Sequence, residues 1–315
     1  MPDVNGRKEN LGETAAYGAF ASMERLAMAL PESLGRRLFD AGGVAAFHLV
    51  PGARRVVEAN LARVLGRDPG SPLVRATARE AFRSYARYWY DTFHARALSS
   101  EEVLRRVTCD GEEHMVRAQE EGRGAVMALP HLGNWDVAAR WVHARGWKIT
   151  AVAENLRPER LFELFLRHRE ELGMGVVALS DERKVGQELI RLLGQNHFIA
   201  LVSDRDLKGR GVDVEMFGEP RKLPAGPALL ALASGSPLCA AGVYDVGDDW
   251  LIHIDPVPIE RTGDMRADVT TVTKELARRF ERSIAAAPTQ WHMFQPAWEP
   301  APAGSASAAA GAASP

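Results

Sequence analysis

Residues 124–154, GAVMALPHLGNWDVAARWVHARGWKITAVAE, contain a complete strand, helix and strand signal in one stretch. GAVMAL is a short apolar run closed by Pro130, a residue that cannot donate to a sheet ladder. From Trp135 the apolar residues recur at helical spacing, and Gly146 stands where that helix would end. KITAVAE then resumes the β-branched pattern. Two strands separated by one helix read as parallel members of a sheet that helices cover.

Reading outward, the same alternation continues. Further strand candidates are GVVALS, HFIALVSD, VDVEMF, PLCAAGVYD and WLIHIDPV, with helical segments PERLFELFLRHREELG, ERKVGQELIRLLG and PAGPALLALASG between them. Pro158 suits a helix start, and Gly173, Gly194 and Gly235 fall where helices stop. The expected fold is α/β, a largely parallel central sheet flanked by helices. The core spans residues 111–298 and forms one domain with a helical N-terminal region, residues 1–110. The low-complexity tail, residues 299–315, is expected to be disordered.

Within the N-terminal region, AAYGAFASMERLAMAL, RRVVEANLARVLG and LVRATAREAFRSYARYWYDTFHARAL carry helical spacing. The last sets Phe82, Tyr85, Trp89 and Phe93 in one aromatic stripe, which serves either core packing or a lipid surface. Phe20, Met23, Leu26 and Leu30 of the first helix are candidates to meet a membrane interface.

Composition excludes several classes. A net charge of −2 supplies no field to attract nucleic acid. Two cysteines, Cys109 and Cys239, give neither a disulfide framework nor a zinc spacing, and no metal is expected. No run reaches the roughly 20 apolar residues of a membrane span. Serine-hydrolase, P-loop and dinucleotide-loop motifs are missing from the sequence.

The chemistry concentrates in PHLGNWD. His131 falls at the carboxyl end of a strand, where open α/β sheets place ligands, and Asn134 is a suitable helix cap. Asp136 lies in the first helical turn. Two readings stand on these residues alone: a carboxylate that orients an imidazole general base, or ordinary punctuation at a helix start. Glu154 and Asp204 both end expected strands and would share the edge with His131. Arg157, Arg160, Arg169, Arg205, Lys208 and Arg210 follow, either as a phosphate-holding rim or as solvated charges.

PHLGNWD resembles the H-x-x-x-x-D/E motif of the lysophospholipid acyltransferase superfamily. More narrowly, it is similar to the bacterial late acyltransferases of the lipid A type. The order of RRVVEANLARVLG, SYARYW, ALPHLGNWD, VAENLRPE, SDRDL, VDVEMFGEPRKLPAGPALLALASG and TQWHMFQPAW looks closest to their phosphatidylinositol mannoside acyltransferase branch. Trp291-His292-Met293 favours that branch.

The resemblance implies transfer of a palmitoyl group from acyl-CoA, as co-substrate and without a further cofactor, to a mannose 6-hydroxyl of a phosphatidylinositol mannoside. It implies a peripheral protein on the cytoplasmic face of the cell membrane. His131 is then the base, Asp136 its orienting partner and Asp204 a further catalytic carboxylate. Glu154, Arg157, Arg169 and Arg205 would bind substrate. Relatives often carry ERDL where this chain has DRDL, so Asp204 is one methylene shorter. The competing readings are another glycolipid or lysophospholipid acceptor, an acyl-CoA thioesterase, and a lipid-binding protein without catalysis.

Overall fold

The computed structural model describes residues 9–153, 158–179, 182–206 and 209–298. Four helices open the chain: α1 (Leu11–Ala29), α2 (Glu32–Leu49), α3 (Pro51–Leu65) and α4 (Pro72–His94). An Asn10–Glu13 capping box starts α1, and the Ser71 hydroxyl caps α4. Gly43 allows α2 to cross α4 at backbone contact, since a Cβ there would lie 2.5 Å from the Phe82 carbonyl oxygen.

The stripe on α4 is core. Phe82 and Phe93 are buried, Trp89 meets Phe20 edge-on at 4.9 Å and Phe165 at a tilt at 5.6 Å, and Tyr85 stacks on Phe294 at 4.4 Å. Of the residues expected to face lipid, Phe20 and Met23 instead pack into this cluster, because α8 (Glu159–Glu171) closes over that side of α1. Leu26 remains 40% exposed.

The alternation from residue 107 onward builds a seven-stranded sheet. In chain order its strands are β1 (Val107–Asp110), β2 (Ala125–Leu129), β3 (Lys148–Ala153), β4 (Met174–Ala178), β5 (His197–Val202), β8 (Leu238–Asp245) and β9 (Trp250–Pro256). Their spatial order is β1-β9-β8-β2-β5-β3-β4. Pairing is parallel except between β8 and β9, which run antiparallel because a four-residue turn joins them directly. β1, inside the region read as helical, is the edge strand beside β9. VDVEMF leaves the main sheet: as β6 (Val212–Met216) it pairs with β7 (Glu219–Leu223) in a separate hairpin.

Both faces of the sheet are covered. Val126 and Ala128 of β2 point to a cluster with α9 (Glu182–Leu193), α10 (Gly226–Ser234) and α11 (Met265–Ala286). Ala125, Met127 and Leu129 point the other way, to α5 (Ser100–Arg106), α6 (Glu112–Glu120) and α7 (Trp135–Ala144). Leaving β2 the chain turns to α7 on one face, and leaving β5 it returns to β8 through the hairpin and α10 on the other. Adjacent strands whose connections part in this way open a crevice at their carboxyl ends.

Candidate active site

That crevice holds His131 and Asp204. Pro130 stops β2 and the next residue is His131, while β5 extends its pairing through the Ser203 amide, 2.8 Å from the Leu129 carbonyl oxygen. The next side chain, Asp204, faces the ring of His131. Nδ1 of the imidazole lies 2.5 Å from Oδ1 of the carboxylate. A carboxylate only accepts, so the Nδ1–H donates, and in the neutral ring the lone pair is on Nε2. The histidine side chain is 27% exposed, whereas Asp204 is fully buried.

The second oxygen of Asp204 accepts the indole N–H of Trp291 at 2.8 Å. A third donor, the Arg221 guanidinium from β7, bonds the Asp204 main-chain carbonyl. Burial by itself would raise this carboxyl group, but the imidazole, the indole N–H and the guanidinium win, and hold it down to about 2. It is an anion throughout the neutral range.

The loop that carries His131 is stitched to the C-terminal segment. The His292 amide bonds the His131 carbonyl at 2.7 Å, and the Gly133 amide bonds the Gln290 carbonyl at 2.9 Å. Gly133 adopts φ +62°, and a Cβ there would stand 1.7 Å from the Val243 carbonyl oxygen, so only glycine fits. His292 is buried beside Tyr85 and Tyr88, with Nε2 3.1 Å from the Ser84 hydroxyl. Burial, aided by the nearby His131, pushes its pKa down to about 3. It stays neutral and leaves His131 as the exposed imidazole of this pair.

Asp136 is not the ring's hydrogen-bond partner. It lies in the first turn of α7, as expected, but its carboxylate accepts from the Tyr88 hydroxyl at 3.1 Å and from Arg169 Nε at 3.3 Å. The helical turn aims it at α4 and α8 instead of at the strand end. Asn134 caps α7 through the Val137 amide at 3.1 Å. Arg169 therefore ties α8 to α7, and its pKa is raised by Asp136 against the opposing effect of burial.

The expected rim is partly neutralised by protein partners. Arg205 bonds the Gln295 side chain, Arg160 pairs with Glu9 at 2.7 Å, and Arg210 lies 3.5 Å from Glu182. Glu154, Arg157 and Lys208 lie outside the described residues. Both cysteine thiols are pushed up to about 12 by burial, which leaves neither as a thiolate nucleophile.

Between α7 and the sheet lies a cavity of about 60 Å³. Leu129 and Val202, each two residues before His131 and Asp204, form one end with Trp135, whose ring meets the imidazole edge-on at 5.7 Å. Met127, Ala139, Ala200 and Ile254 line its length, and Arg169 contributes to the wall.

A histidine held by a buried carboxylate can take a proton from a hydroxyl or a water, and comparison with known proteins shows the family. The family described as bacterial lipid A biosynthesis acyltransferase matches residues 8–299. The chain belongs to that family. It is an acyltransferase of that family, and curated relatives match most of its length. A phosphatidylinositol mannoside acyltransferase of Mycolicibacterium smegmatis is 38% identical over 94% of this chain and 95% of its own length. One of Mycobacterium tuberculosis is 37% identical over 92% of this chain and 91% of its own.

Three residues of the site carried no assigned role in the sequence reading. Trp291, His292 and Arg221 stood only among the residues of resemblance. The signal for the first two was the density of aromatic residues in TQWHMFQPAW, which is more than a surface segment needs.

Proposed function

We propose that the protein transfers a fatty acyl group from acyl-CoA, palmitoyl-CoA in the first instance, to a mannose hydroxyl of a phosphatidylinositol mannoside. The observation that carries this reading is the His131–Asp204 pair, whose imidazole meets Trp135, a lining residue of an apolar cavity. Asp204 holds the ring with Nε2 outward. Nε2 takes the proton of the sugar 6-hydroxyl as its oxygen attacks the thioester carbonyl. The tetrahedral intermediate collapses with loss of the thiolate, which receives that proton from His131. No acyl-enzyme is required.

The Gly133 amide is committed to Gln290 and that of Val137 to Asn134. The Trp135 and Asp136 amides, where the α7 dipole is positive, are the proposed oxyanion donors. The acyl tail occupies the space between α7 and the sheet. As it stands that space has the volume of about two water molecules, so the tail enters by parting α7 from the strands. Each methylene buried contributes about 0.8 kcal/mol toward doing so.

A lipid acceptor requires approach to a membrane. No described helix is long and apolar enough to cross one. Leu11, Leu26, Met28, Leu34 and Leu38 on α1 and α2 are exposed, and this face is the proposed peripheral contact, on the cytoplasmic side.

The test is acyl transfer from palmitoyl-CoA to monomannosylated phosphatidylinositol by wild type and His131→Ala. Acylated lipid from wild type, with a loss of about a hundredfold or more in a folded variant, supports the reading. Free fatty acid without acylated lipid would assign a thioesterase instead, and an unaffected variant would remove His131 from the chemistry.

A further inference from the structure

Arg221 is the least satisfied cation near the site. It is 7% exposed, its Nη2 bonds the Asp204 carbonyl, and its Nε and Nη1 are buried without partners. Its guanidinium carbon lies 4.9 Å from the centroid of the buried Trp298 ring, which Arg63 also approaches at 5.3 Å. Trp298 is itself fixed. Asn60 of α3 bonds the carbonyls of Met293 and Gln295 at 3.0 and 2.8 Å and accepts the Ala297 amide at 3.1 Å. The chain thus wraps its last described residues over β7 and closes water away from the guanidinium.

Holding a bare cation there is costly. A buried carboxylate with an imidazole as its sole ionisable neighbour would draw a proton onto the ring, giving an imidazolium–carboxylate pair. Such a ring cannot accept a proton from a hydroxyl. A second cation bonded to the main chain of the same residue lessens that demand, because its charge acts on the same buried carboxylate. The other groups around the pair do not supply it. His292 is neutral and Arg169 is paired with Asp136.

We propose that Arg221 is a positioning residue of the acyl transfer, clamped by the C-terminal Trp298 against the Asp204 main chain, where its charge keeps the His131 ring neutral and able to act as base. The proposal rests on His131 being that base. It gives the C-terminal segment two linked tasks: Trp291 orients the carboxylate, and Trp298 seats its counter-ion.

The test compares wild type, Arg221→Met and Arg221→Lys across pH. The His131 imidazole is followed by nitrogen-resolved NMR without substrate, and kcat by the palmitoyl-CoA assay. Arg221→Met is expected to raise the His131 midpoint by about one pH unit, move the acid limb of kcat the same way and lower kcat about tenfold at neutral pH, with KM within about twofold. Arg221→Lys should return the midpoint to its wild-type place. An unmoved midpoint in Arg221→Met overturns the proposal even if activity falls, because a purely structural role loses activity without moving the titration. A lysine variant as displaced as the methionine variant overturns it too. If Arg221→Met does not fold, Trp298→Leu takes its place, since opening the guanidinium to water weakens its field and must shift the midpoint upward; an unshifted one rejects the idea. As the midpoint is read without turnover, failure of wild type to acylate the lipid would strike the proposed function and be recognised separately.

Discussion

The indole N–H of Trp291 and the imidazole of His131 hold the two oxygens of one carboxylate, Asp204, so tryptophan and histidine are coupled through a residue 87 positions away from the first and 73 from the second. Trp291→Phe keeps the buried ring and deletes the donor. A hydrogen bond to a charged group is worth about 1.5–3 kcal/mol, so kcat should fall about tenfold or more with KM little changed. Asp204→Asn removes the acceptor that sets the tautomer, and the expected loss is larger, on the order of a thousandfold. Steady-state kinetics on both variants decides this; equal losses, or an active Asp204→Asn, would contradict the arrangement.

Asp136, which is buried, and Arg169, which is partly buried, form an ion pair joining α7 to α8. Asp136→Asn leaves the guanidinium uncompensated, and the expected cost is on the order of 3 kcal/mol in urea unfolding. The double variant Asp136→Leu/Arg169→Met should recover most of it. If the single variant is as stable as wild type, the pair does not hold the helices together.

Acid should destabilise the protein in two successive windows. The folded-state pKa of His292, about 3, lies below the ordinary 6.5, so the unfolded chain protonates first. The stability held by the neutral ring is complete above about pH 6.5 and drains away as pH falls toward 3. Asp204, at about 2 against 3.8, adds stability that is complete above about pH 4 and is lost below it. Urea unfolding of His292→Gln should show a flatter stability profile between about pH 6.5 and 4 than wild type. Parallel profiles would place the titrating group elsewhere.

The cavity under α7 predicts a change of donor preference. Ala200 lines it from β5, and Ala200→Phe would fill it. The ratio of kcat/KM for palmitoyl-CoA over a medium-chain acyl-CoA should fall about tenfold. A variant with an unchanged ratio would mean the tail lies elsewhere.

Much of this was legible in the chain. The alternation of short apolar runs and helical segments determines the parallel sheet, because burying both faces of a strand requires continuous apolar residues and a covering helix between neighbours. Pro130, Asn134 and the following helical pattern likewise place His131 at a strand end and Asp136 in a first turn, both being consequences of local backbone rules. The partner of the histidine was not local. Spacing suggests Asp136, but a helical turn points that carboxylate toward α4 and α8, while β5 inserts beside β2 and delivers Asp204 instead. Strand order, hairpin placement and the return of the C-terminal Trp291 and Trp298 onto the site depend on contacts between residues far apart in sequence. Side-chain periodicity states which faces must be buried and is silent about what they are buried against, so only the assembled structure chose the acid, its tryptophan and its arginine.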